Sequence, residues 1–521
     1  MKIPAFGEVN YIDNQINENS HGVVVKNVSP ERFEEYVELF VSDGYTLCER
    51  NDFAGNRFAA LKKESEGAFI NYYSAIRELT VVTESVSEYF SFSDVAGENT
   101  VQMQITQLSL EDYGMSYAVR LSDGRFILID GGQDFEPDAR KLYELLKRSS
   151  GNKKPTVAAW ILTHPHNDHL GCFLTFMELF ASEVNIEKVM LNFPALDDTE
   201  HFPDLMNKDY RRKNPKSTKE YMLRAYELIK EHGLAAYMPH TGQTYVIGDA
   251  VCRVIASLDD TIYRTFNINS TSLVIRMEIA GQSIFWGADA AFYTIDLVER
   301  YGDSIRSDIL QIPHHGFQCG YAGPEIAGYR AIAPKVCLLP ASEGAAFISF
   351  STHKKGTEFL MRDAGVEEII TGGPERTLTL PYFAKPEAKS ELERRFTEGR
   401  ATSGSKVWVF TELSTALEED LTFSFVNFTV SNVKVIVDIK FENGSPAPAG
   451  ASVIIPPGAF KKIRLDGEEV KESESFYDLW EMLNKSKFPK DTGFVVRFRA
   501  DTPIVISNKN HSPTYVSPYV C

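Results

Sequence analysis

Thr156-Val-Ala-Ala-Trp-Ile-Leu-Thr-His164-Pro-His166-Asn-Asp168-His169-Leu-Gly171 decides how the rest of this chain is read. An apolar run with the texture of a buried strand enters a turn that holds three histidines and an aspartate within six residues. His164 and His166 lie two apart, so both imidazoles can point at one cation from an extended turn. Asp168 and His169 turn the corner and can reach a second position. Borderline cations such as Zn²⁺ accept this nitrogen and oxygen donor set. Gly171 is expected to let the chain enter a helix over Phe173–Phe180 closely.

Three other segments repeat the architecture. Phe126-Ile-Leu-Ile-Asp130-Gly-Gly and Ser283-Ile-Phe-Trp-Gly-Ala-Asp289 each end an apolar run on an aspartate, and Ile309-Leu-Gln-Ile-Pro-His314-His315-Gly316 ends one on two histidines. Taken singly, Asp130 reads equally as a turn residue, Asp289 as a helix cap and the His pair as a hydrogen-bonded loop. Together they are what a metal site at the edge of a sheet requires, since ligands gather beyond the carboxyl ends of parallel strands. Asp130, His164, Asp289 and His314 are therefore each expected at a strand end, in an α/β domain.

The flanks differ in texture. Residues 1–98 read as a small α+β domain. It has a strand at Val23–Val25, a helix opened by Pro30 and ending near Gly44, and an antiparallel meander over Tyr45–Cys48, Arg57–Leu61, Ala68–Tyr73 and Leu79–Val82. It carries no cluster of His, Asp or Cys, so a cap or interaction role is expected. Residues 99–398 alternate strand and helix patterns, with one helix marked by Ser217 and Glu220 at its start and Gly233 past its end. A charged helix over 386–396, a linker over 400–405 and a β-rich C-terminal domain over 406–521 follow, the last with a short helix near Phe476–Leu483.

Composition narrows the function. The 521 residues carry 54 Lys and Arg against 72 Asp and Glu, a formal charge of −18. So acidic a chain repels long duplex nucleic acid as a whole. No apolar run approaches the ~18 residues of a membrane span. The N-terminal stretch has no secretory core, and the six cysteines are scattered, so a cytoplasmic location with reduced thiols is expected. Lys208-Asp-Tyr-Arg-Arg-Lys213 with Lys216 is a basic cluster that reads as a solvated helix end or as an anion clamp. The sequence allows a homo-oligomer.

The set D-G-G, T-H-P-H-N-D-H-L-G, G-A-D and P-H-H-G, in this order, resembles the metallo-β-lactamase superfamily. More narrowly it is similar to the hydrolase domains of DNA-uptake competence proteins and their soluble relatives, which carry H-H-G and an N-x-x-S-L-V strand, here Asn269-Ser-Thr-Ser272-Leu-Val. The likeness covers residues about 100–385 and explains neither flank. It implies a four-layer αββα sandwich and two divalent metal ions, Zn first, with Mn or Fe as alternatives. By that resemblance His164 and His166 bind the first metal, Asp168 and His169 the second, Asp289 bridges them and His315 completes the second site. Asp130 orients a ligand from behind, and His314 is close enough to touch substrate, which makes Asp168, Asp130 and His314 the catalytic candidates. Which histidine of the pair ligates stays open. His353 lies where such domains place a His near the site entrance.

Two departures stand out. Members commonly give the first metal a third His upstream of the bridging Asp, and here that place falls on Asn269. His240 is a spare that reads as a loop residue. Gly-Ala-Asp is one residue longer than the commoner Gly-Asp. The implied function is metal-dependent hydrolysis of a small or medium anionic substrate, a phosphodiester first and a carboxylic ester or lactone second, with a β-lactam a distant third. Diiron oxidoreductases of this fold resemble H-x-E-x-D at the first motif, where this chain has His166. A non-catalytic metal-binding relative is the remaining alternative.

Overall fold

A computed structural model describes residues 3, 11–17, 20–111, 114–194, 196, 218–258, 268–292, 295–316, 323–340, 364–372, 375–385, 405–414, 422–427, 432–443, 451–455, 460–464, 492–508 and 515–516. The chain divides into two compact units, one of residues 1–342 with 361–385 and the other of 343–360 with 386–521.

The first unit begins with a six-stranded antiparallel sheet. The strands Thr46–Phe53, Asn56–Lys63, Glu66–Tyr73 and Glu78–Ser85 form the meander, and Ser20–Lys26 and Tyr11–Asn17 extend it beyond Glu78–Ser85. The helix Glu31–Ser42 lays Phe33, Tyr36, Val37 and Phe40 onto it, over Val23, Leu61, Ile70 and Val81. This spacing of apolar residues every three or four positions is the reason the segment is helical and docked.

The rest of the unit is a sandwich of two eight-stranded sheets. In the first sheet Phe126–Asp130, Thr156–Leu162, Lys188–Leu191 and Ala235–Tyr237 run parallel, and Ser116–Arg120, Gln104–Gln107 and Arg376–Thr379 continue it antiparallel. The second repeats the plan, with Gln282–Trp286, Ile309–Gln311, Val336–Leu339 and Glu368–Thr371 parallel. Its antiparallel side is Val274–Ile279, Ala250–Ala256 and Thr244–Gly248, with Ser93–Val95 at the edge. Parallel strands buried on both faces read as unbroken apolar runs, which is why these segments were visible in the sequence.

Two apolar layers hold the sandwich. Ile127, Ile129 and Ile161 of the first sheet meet Ile275, Trp286 and Leu338 of the second. On the outer face of the first sheet, Leu128, Trp160 and Leu162 pack on the helices Glu136–Ser149, Asn167–Phe180 and Thr218–Glu231. On the other side Phe285 meets Phe292, which meets Tyr329 of the helix Gly323–Ile332. The order is helices, sheet, sheet, helix: a four-layer αββα core.

The N-terminal sheet is anchored on the sandwich by polar groups. Arg300, 2% exposed, lies 4.1 Å over the Tyr73 ring and 3.3 Å from the Glu78 carboxylate, and its carbonyl accepts from Asn56 Nδ2. Glu49 accepts from the Thr244 amide at 2.6 Å. His240, read from sequence as a loop residue, is buried, stacks on Phe69 at 3.5 Å and meets Glu84 Oε1 at 2.8 Å.

The second unit is β-rich. Ala451–Ile455, Val433–Phe441, Gly493–Asn508, Ser405–Ser414 and Tyr515–Val516 are neighbours in that order, and Thr422–Val426 pairs both with Phe460–Arg464 and with the far end of Gly493–Asn508. Phe410, Phe423, Val435, Val437, Val496 and Phe498 fill its core. The basic run over 208–216, Cys319, His353, the linker at 400–404 and the helices expected over 386–396 and 476–483 lie outside the described residues.

Candidate metal centre

Asp130 closes its strand in the left-handed region, with φ at +52°. That turns its carboxylate across the sheet edge onto Thr163, the residue after the neighbouring strand. Asp130 Oδ1 accepts from the Thr163 amide, and Oδ2 accepts from the Thr163 hydroxyl and from His169 Nδ1, all at 2.7 Å. Trp160 Nε1 donates to the Asp130 carbonyl. The next two glycines fit a crowded turn. The Gly131 amide donates to the His169 carbonyl, and the Cys172 amide to that of Gly132.

The helix expected over Phe173–Phe180 starts earlier, at Asn167, with His166 as its N-cap. Asp168 and His169 therefore sit in its first turn, not in a loop before it. The candidate donors there are polar, which hides the helical start from an apolar pattern. Gly171 is required by close approach: a Cβ there would fall 2.4 Å from the Asp134 amide nitrogen.

The second sheet delivers the opposing groups. Asp289 follows a turn in which Ala288 is left-handed, φ +47°. Gln311, fully buried, clamps that turn: its Oε1 accepts from the Ala288 amide at 2.6 Å, and its Nε2 donates to the carbonyls of Ala288 and Ile312. The Asp289 amide donates to Ser272 Oγ. His314 and His315 are consecutive left-handed residues, φ +49° and +51°, and the His314 amide is tied to the Ala288 carbonyl at 2.9 Å. Asn269, expected to open a strand, lies in the 3₁₀ turn Ile268–Thr271 instead, and the strand begins at Val274.

These elements bring together two donor sets. Asp168, His169, Asp289 and His315 each offer an atom within 4.8 Å of the others, and so do His164, His166 and Asp289. Asp289 belongs to both. His315 is the member of the pair that joins a set, at 3.1 Å from Asp168 Oδ2, while His314 stays outside both and meets Asn269 Nδ2 at 3.1 Å.

The hydrogen bonds show that the residues fit a cation. His169 Nδ1 is committed to Asp130, and His315 Nδ1 to the Pro340 carbonyl at 2.7 Å. Both rings then carry their hydrogen on Nδ1, and the two Nε2 lone pairs face each other at 3.2 Å. A positive charge relieves that approach: a proton beside the Asp168 and Asp289 oxygens in the metal-free protein, or a metal cation in its place. Asp168 Oδ1 and Asp289 Oδ1 are buried with no hydrogen-bond partner, which is costly unless a cation takes them. Orienting the ligating imidazoles through carboxylate and carbonyl partners is the usual support of a metal site.

The electrostatics agree. Burial opposes a charge on His169, but Asp289, Asp130 and Asp168 outweigh it and hold its pKa well above the ordinary imidazole value. Burial likewise opposes a charge on His315, but Asp289 and Asp168 push its pKa up to about 10. His164 has too little compensation: burial and the neighbouring His169 hold it well below its usual value. Burial would raise the Asp289 carboxyl, yet His169 and His315 hold it well below the carboxylate range, and Asp168 is lowered by the same two rings.

Sequence reasoning missed the roles of Gln311, Thr163 and Ser272. Each is a polar residue within or beside an apolar run, and its partner is a backbone group or carboxylate on another element.

Comparison with known proteins places the chain. Residues 110–256 match the metallo-beta-lactamase superfamily model. Among solved structures, the metallo-beta-lactamase fold protein YhfI of Bacillus subtilis is 15% identical, over 53% of this chain and 100% of that one, with a TM-score of 0.30. Igni18, a metallo hydrolase from Ignicoccus hospitalis KIN4/I, is 12% identical over 53% of this chain and 99% of that one, TM-score 0.32. Anabaena sensory rhodopsin transducer is 19% identical over 21% of this chain and 98% of that one, TM-score 0.16. No curated protein matches. The family match spans the strand ends that carry Asp130 and the His164–His169 turn, and the second sheet completes their donor sets: this part of the chain is similar to the metallo-β-lactamase superfamily in sequence and has a four-layer αββα core.

Proposed function

We propose that this domain hydrolyses a small or medium phosphodiester with two divalent cations, zinc first and manganese or iron as alternatives. The observation that carries the reading is the pair of donor sets sharing Asp289, with the His169 and His315 nitrogens turned towards each other. Cations held there would lower the pKa of water and neutralise charge on the attacked ester. Asp168, His169, Asp289 and His315 would hold one and His164, His166 and Asp289 the other.

The chain's own residues prepare this chemistry. Asp130 accepts a hydrogen bond from His169 Nδ1–H, which leaves Nε2 for ligation and makes the ring a stronger donor; the Pro340 carbonyl accepts from His315 Nδ1–H in the same way. Gln311 and Ser272 hold the turn that presents Asp289. His314, outside both sets, is the residue this reading places against the substrate.

Charge favours an anion over a neutral ester. The donor sets contain two carboxylates, Asp168 and Asp289. Two divalent ions would leave the centre net positive, and a monoanionic diester matches that better than a lactone. Size follows from the −18 of the whole chain, which opposes a long polyanion. The basic run Lys208–Lys213 with Lys216 is the clamp this reading assigns to the anion.

The test is an activity panel with added Zn²⁺ or Mn²⁺: an aryl phosphodiester, short oligonucleotides, a homoserine lactone and a chromogenic β-lactam, with Asp289→Ala as the blank. Diester turnover that vanishes in the variant supports the reading. Turnover of the lactone alone moves the assignment to carboxylic esters. A metal-replete protein that turns over nothing is a non-catalytic metal-binding relative.

A further inference from the structure

We propose that the second sheet carries a phosphate-binding site on the face turned away from the first sheet, made by Arg253, Arg276 and the Thr244 hydroxyl and backed by Phe53 of the N-terminal sheet. The inference does not rest on the phosphodiester reading, since none of these residues belongs to either donor set.

The strand ladder puts the three residues in one row. Arg253 stands directly opposite Thr244 on one side and Arg276 on the other. Their neighbours Tyr245, Cys252, Val254, Ile275 and Met277 fill the core between the sheets, so alternation turns Thr244, Arg253 and Arg276 outward. Like charges directly opposite on a sheet are destabilising unless something of opposite sign joins them.

The two arginines are engaged differently. Arg276 is anchored: Nε and Nη2 donate to the Arg306 carbonyl at 3.2 and 3.1 Å, and Nη1 donates to Glu278. The Arg253 guanidinium lies 4.4 Å over the Phe53 ring, and among the described residues no group accepts a hydrogen bond from it or pairs with its charge at contact. Its Nε is buried without a partner, and so is Thr244 Oγ1 beside it. Burial lowers the Arg253 pKa; Glu278 opposes this and Arg276 adds to it. Glu49, on the other side of Thr244, gives Oε1 to the Thr244 amide and to Asn51, and forms no ion pair with Arg253.

A guanidinium stacked on a ring keeps its planar fork of N–H donors at its edge, the geometry that takes two oxygens of an oxyanion. Two guanidiniums face one carboxylate, Glu278, so the row is left with a positive charge. A tetrahedral phosphoryl group can accept from Arg253, Arg276 and the Thr244 hydroxyl with different oxygens, whereas a flat carboxylate fills one fork. An anion there would bond a guanidinium already stacked on the N-terminal sheet, and so tie that sheet to the sandwich. The phosphoryl group can be free phosphate or part of a larger molecule.

The experiment is calorimetric titration of the full chain with inorganic phosphate and with glycerol 3-phosphate, at constant ionic strength in chloride. It is done on the wild type, on Asp289→Ala, and on Arg253→Met and Arg253→Lys in the Asp289→Ala background. Saturable binding should survive Asp289→Ala, which separates it from the metal centre. Arg253→Met should weaken it by about 10- to 100-fold, the range for losing hydrogen bonds to a charged group. Arg253→Lys keeps a cation near Phe53 but loses the fork, and should weaken it by about tenfold while melting in chloride as its parent does. Binding of both compounds supports a phosphoryl group carried on a larger molecule, and binding of inorganic phosphate alone supports the free ion. No saturable binding in the Asp289→Ala protein, or equal affinity with and without Arg253, overturns the proposal. Absence of diester turnover refutes the substrate reading and leaves this titration untouched.

Discussion

Gln311→Met removes the clamp on the Asp289 turn while keeping the length of the side chain. Gln311 is fully buried, and its amide engages the Ala288 N–H at 2.6 Å, the Ala288 carbonyl at 3.2 Å and the Ile312 carbonyl at 2.6 Å. The Ala288 carbonyl keeps the His314 amide after the substitution. The Ala288 N–H and the Ile312 carbonyl lose the Gln311 amide and stay buried. Each such orphan costs about 1–3 kcal/mol, so the loss should total about 2–6 kcal/mol. A left-handed alanine adds to this, because the clamp is part of what holds it in a conformation that costs about 1–2 kcal/mol. The assay is urea unfolding of the metal-loaded and chelated protein, with metal content measured on the same samples. The loaded protein should unfold earlier by the amount above and hold less metal, since Asp289 is the next residue. Gln311→Glu should do no better, because it keeps an acceptor for Ala288 N–H but sets a carboxylate against two carbonyl oxygens. A Gln311→Met protein within about 1 kcal/mol of wild type and fully loaded would refute the clamp.

Gly171→Ala should destabilise the first unit by roughly 2 kcal/mol or more and lower metal content, because the new methyl meets backbone at 2.4 Å and must push the helix bearing Asp168 and His169 away; a thermal melt and metal analysis check this. Asp130→Asn must turn an N–H towards one of three donors, and metal affinity measured by competition with a chelator should fall about 10- to 100-fold. Ligand number makes the two positions unequal, four donors against three, so chelator titration should strip one ion well before the other. The pH dependence has a definite sign. In the metal-free protein the raised His315 pKa gives stability that is complete below the ordinary imidazole value and is lost as the pH rises through about 10. The lowered Asp168 and Asp289 carboxyls contribute above the ordinary carboxylate range and lose it on acidification. Metal must displace the His315 proton, so uptake at neutral pH should release protons, seen as a buffer-dependent heat in calorimetry, and apparent affinity should climb with pH.

The centre was legible where donors are dense and local. His164, His166, Asp168 and His169 fall within six residues at the end of an apolar strand, and no alternative accounts for such a turn easily. Asp130, Asp289 and His315 were legible because parallel strands buried on both faces announce their own ends. What could not be read depends on partners far away in sequence. Gln311 interrupts an apolar run and carries no motif; its role appears only when Ala288 folds against it. His240 is a loop residue, as expected, but its burial against Phe69 and Glu84 depends on the distant N-terminal sheet. The strand Tyr11–Asn17 is missed because its polar composition, with two Asn, an Asp and a Gln, opposes strand propensity, and pairing with Ser20–Lys26 overrides that. The choice between His314 and His315 is settled by two backbone angles that no single sequence reveals.

Asp289's place in both donor sets has a mechanical side. Asp130, His164 and His169 ride on the first sheet, and Asp289 and His315 on the second. An ion held by the two donor sets would be a rivet through two plates, at an edge where polar groups replace the apolar filling between the sheets. The plates have a similar plan, with parallel strands on one side and antiparallel strands on the other, and the chain crosses from one to the other between Tyr237 and Thr244 and again between Thr371 and Arg376. Closing the sandwich and assembling the reactive centre are then a single event: whatever loosens the seam between the sheets also disarms the chemistry, and whatever binds at the centre tightens the seam.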